Sequence, residues 1–324
     1  MLLLDEVMTH AHEIDVNIDQ TSRRLRLQNL RVLMAVIGAG SMGRARRELS
    51  ITQPAISRSI AELEDIFGVP LLERGPHGVQ PTAFGVALRD CGIAVFDDLR
   101  QGIKEIASLA DPEAGEVRIG SGGFMAASFV AAVINRLSCR YPRMTFHLVA
   151  APPETLQVDL VRRNIDVVVT RFGAMADKAL HFEPLFEESF VVAAGACSPW
   201  SRRRRLKLQE LVDEPWTLPL PDSVVGAMAL DAFHRSGVTP PKATVWSTTP
   251  EMRISLLRTG RFLSIFPDSV LRFPAPRPEL KKLPLVLPTD KVRNGIFILK
   301  QRVLSPATRS FMACAQEVGK LGKM

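Results

Sequence analysis

The sequence has few cysteines and no long apolar run, and each absence removes a class of protein. The four cysteines, Cys91, Cys139, Cys197 and Cys314, lie far apart and form no C-x-x-C pair, so neither a disulfide framework nor a zinc site is expected. No apolar run reaches the roughly 18 residues that suggest a membrane span. Residues 1–4 are apolar but acidic residues follow at once, which is not the order of a signal peptide, and we therefore expect a cytoplasmic protein.

What is present is an ordinary globular composition with an excess of positive charge. The 324 residues favour two domains, because single cores usually stop growing at about 250 residues. The net charge of +7 suggests nucleic acid as a partner. Residues 1–110 hold 12 Lys and Arg against 14 Asp and Glu, whereas residues 111–324 hold 29 against 20. The overall charge therefore does not identify the part that would bind nucleic acid.

Three short helical segments follow one another between residues 27 and 68. In the first, apolar residues recur at intervals of three and four until the glycines that end it. Ser41 is placed to cap a second helix at 42–49, and Thr52 to cap a third whose first turn contains Pro54. This arrangement outlines a helix-turn-helix domain.

The next two segments differ in proline content. Residues 69–81 contain prolines and glycines at a density that predicts a two-strand wing or a tight loop. Residues 82–110 lack proline, and their apolar residues recur every three or four positions, which predicts one long amphipathic helix. Its length of roughly 43 Å, at about 1.5 Å per residue, exceeds what a small domain needs. We therefore interpret it as a linker whose apolar stripe pairs with that of a second chain, with docking on its own domain as the alternative.

From residue 111 onward the chain alternates between predicted strands and helices. The predicted strands are 117–120, 144–150, 166–170, 190–194, 216–220, 243–247, 262–266, 283–287 and 295–300. The predicted helices are 124–137, 153–163, 208–212, 225–236, 250–258 and 306–321. Two sets of such units suggest two similar sub-domains with a ligand cleft at the carboxyl ends of the strands.

The third helix of the N-terminal segment has the side chains that read DNA. Gln53 offers the paired donor and acceptor that match adenine, and Arg58 can fork onto guanine or bind phosphate. Thr52 and Ser57, with the free N–H groups of the helix start, can hold phosphates. Each residue alone fits an ordinary polar helix end, but the ordered set favours DNA binding.

At this point the sequence resembles a known family, the LysR-type transcriptional regulators. The resemblance lies in S-M-G-R-A at 41–45, in L-S-I-T-Q-P-A-I-S-R-S-I-A-E-L-E-D-I-F-G-V-P-L-L-E-R at 49–74, and in P-T-A-F-G at 81–85. The later order of strands and helices is similar to that family's effector domain, so the resemblance covers about residues 27–324.

The resemblance implies an α+β multi-domain protein with an N-terminal winged helix-turn-helix, a long linker helix and a C-terminal two-lobed α/β effector domain of the periplasmic-binding-protein type. The implied divisions are an N-terminal extension at 1–26, a winged helix-turn-helix DNA-binding domain at 27–81, a linker and dimerisation helix at 82–110, and an effector-binding domain at 111–324. Within the last, lobe I takes in about 111–187 and 288–324, and lobe II about 188–287.

The resemblance also implies partners and DNA contacts. Dimers or tetramers would bind promoter DNA and respond to a small metabolite held between the lobes, with RNA polymerase as a further candidate partner. The family's DNA contacts would fall on Ser41, Arg44, Thr52, Gln53, Pro54, Ser57 and Arg58, with Arg74 in the wing.

Two positions depart from the family pattern within the helix-turn-helix. Met42 stands where an aromatic is usual, and Arg46 where an alanine is usual. A small residue at position 46 lets the two motif helices approach, so Arg46 must point outward or shift the helix. A third departure is the extension before residue 27.

A glycine-rich turn is the first candidate for effector binding. The run I-G-S-G-G-F at 119–124 follows a predicted strand and opens a helix, so its N–H groups could cradle a carboxylate. A plain strand-to-helix turn is the alternative. By the same reasoning from strand and helix ends, the expected effector-binding residues are Ser121, Gly122, Thr170, Arg171, Thr248 and Phe266. Ser121, Thr170 and Thr248 would donate hydrogen bonds, and Arg171 would pair with an anionic effector.

No catalytic arrangement stands out in the sequence. There is no Ser/His/Asp order, nucleophile elbow or paired-carboxylate motif, so we expect neither an enzyme nor a cofactor. His10 and His12 have no further ligands at metal spacing. The leading interpretation is a sequence-specific transcriptional regulator. The alternatives are a cytoplasmic solute-binding sensor, which leaves the first 110 residues unexplained, and an enzyme with a fused DNA-binding domain.

Overall fold

The computed structural model describes residues 18–75, 78–274 and 277–321. The chain divides into two compact units, Met1–Arg100 and Gln101–Met324. Most of the predicted N-terminal extension, residues 1–17, lies outside the described residues, whereas Ile18–Arg24 forms a short helix, α1. No described helix is both long enough and apolar enough to cross a membrane.

Three helices form the centre of the first unit. They are α2 (Leu27–Ala39), α3 (Met42–Leu49) and α4 (Gln53–Phe67). Gly40 and Gly68 end α2 and α4 in the left-handed conformation that glycine adopts without strain. Their apolar faces share one core, which includes Leu33, Ala45 and Ile60.

The positions that depart from the family pattern fit this core. Met42 is buried in it, and Ala45 is fully buried and supplies the small residue at the helix contact. Arg46 is exposed, so α3 continues without interruption and its guanidinium points away from the core. The outward orientation expected for Arg46 is therefore what the structure has.

A two-stranded wing follows, as predicted. Strands β1 (Leu72–Gly75) and β2 (Gly78–Pro81) pair antiparallel. The Val79 N–H donates to the Gly40 carbonyl at 3.0 Å, which ties the wing to the turn between α2 and α3. A long helix, α5 (Ala83–Ala110), then begins after Thr82, whose Oγ1 accepts from the Gly85 N–H.

The second unit contains a five-stranded sheet in the order β4-β3-β5-β12-β6. Its strands are β3 (Ala114–Ser121), β4 (Arg143–Ala150), β5 (Val167–Arg171), β6 (Leu180–Glu188) and β12 (Val292–Leu299). The first three are parallel, and β12 runs antiparallel to both of its neighbours. The helices packed on this sheet are α6 (Gly123–Met125, a π-turn at Ala126–Val130, and Ala131–Arg140), α7 (Pro153–Val161) and α11 (Pro306–Leu321).

A second, smaller group of strands lies between β6 and β12 in the chain. A three-stranded sheet has the order β10-β7-β11, and a parallel pair is formed by β8 and β9. Its elements are β7 (Phe190–Gly195), β8 (Thr217–Leu218), α8 (Val224–Arg235), β9 (Val245–Trp246), α9 (Pro250–Arg258), β10 (Leu263–Pro267), α10 (Ser269–Arg272) and β11 (Leu280–Lys282). The chain passes between the two sheets twice, at Ser189 and at residues 283–291. We refer to the two parts as the large lobe and the small lobe.

One predicted strand in this unit is absent, and one observed strand was not predicted. Residues 283–287 form no strand; the adjacent Leu280–Lys282 pairs with β7 instead, and Leu283 and Leu287 pack into the small-lobe core. The nine-residue strand β6 was not predicted at all, because its sequence mixes buried and polar residues without strict alternation. The segment predicted as a helix at 208–212 is a 3₁₀ turn, Leu208–Leu211.

Candidate functional site

The helix α4 presents polar side chains at its N-terminal end. The Thr52 Oγ1 accepts from the Ala55 N–H at 3.4 Å, and Pro54 occupies the first turn, where a missing N–H costs nothing. Gln53 and Arg58 are exposed, and Ser57 is half-buried. The opposite face of α4 packs into the core, so burial fixes which face of the helix meets solvent.

The preceding helix α3 begins with a similar cap. The Ser41 Oγ accepts from the Arg44 N–H at 3.1 Å, and the Arg44 side chain is exposed. Both capping hydroxyls use an oxygen lone pair in the cap, and each hydroxyl keeps its hydrogen to donate to a phosphate. The N-terminal halves of α3 and α4 therefore combine hydroxyl donors with the positive charges of Arg44 and Arg58.

The predicted wing residue Arg74 lies in β1, opposite Val79. Its side chain lies outside the described residues. Gly78 has φ +114°, and an added Cβ would come within 2.5 Å of the Gly40 carbonyl oxygen, so the close approach of wing and turn requires glycine there.

A cavity of about 180 Å³ lies between the large and the small lobe of the second unit. It is bordered by the carboxyl ends of β3 and β5, where ligands collect in such sheets, and by the point where the chain crosses from β6 to β7. The lining residues that bear polar side chains are Thr170, Arg171, Glu188, Ser269 and Asn294. Phe124, Phe190, Val225 and Met228 supply apolar walls.

The cavity contains one acidic and one basic side chain. Glu188 is 6% exposed; its Oε1 accepts from Asn294 Nδ2 at 2.6 Å and its Oε2 from the Ser269 N–H at 3.0 Å. Burial raises the pKa of Glu188, and these hydrogen bonds oppose that rise. Burial lowers the pKa of Arg171, partly offset by the charge of Glu154. The cavity can thus offer both a cation and an acceptor to a small polar ligand.

A buried guanidinium lies next to the cavity wall. The Arg253 side chain packs against two phenyl rings that touch each other edge to face, with its Cζ 4.8 Å from the centroid of Phe124 and 4.7 Å from that of Phe266. Burial lowers the pKa of Arg253 to about 10. Since this value remains well above neutrality, the group stays charged at physiological pH.

Three of the six predicted effector residues line the cavity: Gly122, Thr170 and Arg171. The other three do not. Ser121 is fully buried and its Oγ donates to the Val169 carbonyl at 2.9 Å, and Phe266 is fully buried in a small-lobe core cluster. Thr248 is exposed to solvent in the segment before α9. The Ser121 hydroxyl is thus used within the sheet, and the Phe266 ring within a core, so neither side chain faces the cleft.

Sequence reasoning missed Glu188, Asn294 and Arg253. Glu188 ends β6, a strand that was not predicted, and Asn294 precedes the predicted start of β12. Arg253 lies in a correctly predicted helix, Pro250–Arg258, among apolar residues. A charged residue on the apolar face of a short helix was the available signal.

Two family models match the chain. One is described as "Bacterial regulatory helix-turn-helix protein, lysR family" and covers residues 27–86; the other, "LysR substrate binding domain", covers residues 110–320. The chain belongs to the LysR family. The resemblance seen in the sequence is thereby confirmed, and this LysR-family transcriptional regulator combines a helix-turn-helix DNA-binding domain with an effector-binding domain.

Individual relatives agree with this assignment. The HTH-type transcriptional regulator GbpR of Azospirillum brasilense is 26% identical over 293 residues, which cover 90% of this chain and 85% of the relative. A full-length OxyR variant from Pseudomonas aeruginosa matches with a TM-score of 0.59 at 20% identity, covering 92% of this chain and 95% of the other. Full-length CbnR complexed with its target DNA matches with a TM-score of 0.52 at 21% identity, covering 91% and 100%. These structures support the fold of a full-length LysR-family regulator.

Proposed function

We propose that this LysR-family regulator reads a specific promoter sequence with α4 and changes its promoter binding when a small effector occupies the cavity between the lobes. The observation that carries the DNA-binding part is the pair of capped helices α3 and α4. Their N-terminal turns present the exposed side chains of Arg44, Gln53 and Arg58, while their other faces are buried.

The proposed contacts divide into base readout and phosphate binding. Gln53 pairs with adenine and Arg58 with guanine or phosphate, because their donors and acceptors match those groups in the major groove. Ser41, Arg44, Thr52, Pro54 and Ser57 lie at the same helix ends and bind or pack against the backbone, and Arg74 extends this surface into the wing. Phosphate contacts position the protein, whereas the two base contacts specify the sequence.

We propose that the chain self-associates through α5 as a dimer that assembles further into a tetramer. The helix has exposed apolar side chains at Leu99, Ile103, Ile106 and Leu109, at the helical spacing of one face. An apolar stripe of this kind is stabilised when a second copy covers it.

For the effector we propose a small anionic molecule in the cavity, with Thr170 as a hydrogen-bond donor and Arg171 as the charge partner. Both line the cavity and lie at the carboxyl end of β5. We assign the protein a regulatory role without a reaction of its own, in the cytoplasm where promoter DNA is found. RNA polymerase is a further partner that follows from promoter binding.

A gel-shift assay with the DNA upstream of the gene tests the proposal. Gln53→Ala and Arg58→Ala should each weaken binding to this DNA by about 1–3 kcal/mol while binding to random DNA changes much less, because a bidentate base contact is lost. Gln28→Ala and Arg89→Ala are matched controls on α2 and α5, away from the recognition helix, and should bind as the wild type does. Full discrimination between promoter and random DNA in both test variants would contradict the proposed recognition helix.

A further inference from the structure

The Arg253 guanidinium is buried without the charge compensation that buried cations need. The residue is 0% exposed and belongs to the first turn of α9. Removing a charged group from water costs several kcal/mol unless an opposite charge and hydrogen bonds compensate for it. Among the described residues no carboxylate lies within ion-pair distance of Arg253; Glu251 acts on it only through space. Such an arrangement is unusual for a group that only supports a core.

The hydrogen bonds of Arg253 occupy one end of its guanidinium and leave one edge open. Its Nη1 donates to Ser264 Oγ and to the Ile265 carbonyl, both at 3.2 Å. Its Nε and Nη2 are buried and have no hydrogen-bond partner among the described residues. Nε and Nη2 form the side edge of a guanidinium, where two parallel N–H groups match the two oxygens of a carboxylate.

The contrast with Arg302 supports a role for this open edge. Arg302 is as deeply buried, but its Nη2 donates to Asp166 Oδ1 at 2.8 Å and its Nη1 to the Ile165 carbonyl at 2.6 Å. The same fold therefore supplies a carboxylate to a buried arginine whose role is structural. At Arg253 no side chain in the described part of the chain takes that place.

The Phe124 ring contacts both the cavity and the Arg253 guanidinium. Its centroid lies 4.8 Å from Arg253 Cζ, and it packs edge to face against Phe266, whose centroid lies 4.7 Å from the same atom. Phe124 follows Gly122 and Gly123, and a Cβ built on Gly122 would meet no atom within 4 Å. The backbone at Gly122 is therefore uncrowded. Because Phe124 touches both the cavity and the guanidinium, its side chain is the one that would have to move for a ligand in the cavity to reach Arg253.

We propose that Arg253 is the anchor for a carboxylate group of the effector, and that Phe124 covers this anchor until the effector enters. This inference rests on the proposed function, since it names the group that binds in the same cavity. When the Phe124 ring turns aside, the carboxylate accepts from Nε and Nη2 and supplies the missing negative charge. Because Phe124 belongs to the large lobe and Arg253 to the small lobe, binding changes a contact between the lobes.

Calorimetric titration of the full-length protein with matched probes tests this anchor. The probes are acetate, succinate and benzoate, each compared with its uncharged amide. The wild type should bind at least one carboxylate more tightly than the matching amide. Arg253→Met should lower the affinity for that carboxylate by about tenfold or more, because a charged hydrogen-bonded contact is lost. Arg261→Met, which removes an exposed arginine just after the same helix, should bind as the wild type does.

Further variants at Arg253, Phe124 and Arg171 separate the anchor from the rest of the cavity. Arg253→Lys keeps the charge but not the planar edge, so it should also bind the carboxylate more weakly; it serves if Arg253→Met does not fold. Phe124→Leu should keep carboxylate binding. The proposal is wrong if Arg253→Met or Arg253→Lys binds the carboxylate with wild-type affinity, or if the wild type prefers no carboxylate over its amide. If Arg171→Met abolishes carboxylate binding while Arg253→Met preserves it, the cavity is still the effector site, and only the role of Arg253 as the anchor is wrong. Loss of promoter discrimination belongs to the gel-shift assay and tests the DNA-binding proposal separately.

Discussion

The charged side chains of the candidate DNA-binding surface in the first unit and those at the cavity in the second unit lie in opposite surroundings. In the first, Arg44 and Arg58 are exposed, and the ion pair between Arg24 and Asp65 lies at the surface. In the second unit, the buried Glu188 lines a cavity and the buried Arg253 packs against Phe124, a residue of the cavity wall. Exposed charges suit a long polyanion, whose counterions are released on binding, whereas a few buried charges act strongly on one small ligand in a low dielectric. The difference shows how one chain serves two kinds of partner.

The two units can be followed separately in solution. All three tryptophans, Trp200, Trp216 and Trp246, lie in the second unit. Tryptophan fluorescence therefore reports the unfolding of the second unit alone, and hydrogen exchange of the α2–α4 amides reports the first. These two signals measure the stability of each unit separately in the variants of either one.

The largest effect is expected from the buried ion pairs of the large lobe. Asp166 accepts from Arg118 and from Arg302 at 2.9 and 2.8 Å, and its side chain is nearly inaccessible. Asp166→Asn should lower the free energy of unfolding of the second unit by about 3–5 kcal/mol, because two cations lose their shared carboxylate. Urea unfolding followed by tryptophan fluorescence measures it. Asp65→Asn removes an exposed ion pair in the first unit and should lower the stability of that unit, measured by hydrogen exchange, by less than about 1 kcal/mol. Equal losses in the two variants would contradict the difference between buried and exposed charges.

A medium effect is expected where the two motif helices touch. Ala45 is 0% exposed, while its neighbour Arg46 is exposed. Ala45→Leu should destabilise the first unit by about 1–3 kcal/mol, because extra volume must be forced into a packed contact. Arg46→Ala should stay within about 0.5 kcal/mol. Hydrogen exchange in α2–α4 measures both, and a large loss in Arg46→Ala would mean that the arginine supports the core.

A smaller effect is expected from a helix cap. Ser41→Ala removes the oxygen that accepts from the Arg44 N–H and should destabilise the first unit by about 1 kcal/mol. Ser59→Ala, inside α4, is the matched control and should be neutral, because alanine favours a helix interior. The same hydrogen-exchange experiment compares the two, with unchanged tryptophan unfolding in both. An equal response of the two serines would count against the cap.

The smallest effect is a pH dependence at Glu188. Because burial raises the pKa of Glu188, the native state binds the proton of this carboxyl group more tightly than the unfolded chain does. The stability that Glu188 contributes through this proton is fully present below the ordinary pKa of 4.5. It declines as the pH rises through the pKa that Glu188 has in the native state. Glu188→Gln should therefore show a smaller decline in tryptophan-monitored stability over this range than the wild type. The effect is small because Asn294 and Ser269 already donate to the carboxylate.

Glu279 provides the control of opposite sign. Its pKa is lowered by the hydrogen bond from Arg258, so its contribution is present above the ordinary pKa and is lost as pH falls. Glu279→Gln should leave the decline at higher pH unchanged. If both variants altered the same part of the pH profile, the burial of Glu188 would not be its cause.

Much of the first unit follows from local sequence signals. The helix at 42–49 and the caps at Ser41 and Thr52 are placed as predicted, and α2, α4 and the wing follow closely. Each of these elements is set by residues within a few positions of its ends, such as a capping hydroxyl or a glycine in the left-handed region. The sequence motif for the family rests on the same local elements.

The cavity of the second unit was only partly predictable. Gly122, Thr170 and Arg171 follow from the rule that ligands collect at strand ends, and they do line it. The same rule also selected Ser121 and Phe266, since it does not say to which side of the sheet a terminal side chain points. Glu188 was missed because it lies where the chain crosses between sheets, and a crossing has no periodic pattern.

The sequence by itself determined the family, the helix-turn-helix and the order of most strands and helices, because periodicity, caps and turns act over a few residues. Only the tertiary structure decided which side chains gather at the cavity and its wall. Arg253, Phe124 and Glu188 are more than 60 residues apart from one another in the chain, and they meet because two sheets pack around a double crossing. Burial, and with it the strength of each charge, is a property of that packing and not of the local sequence.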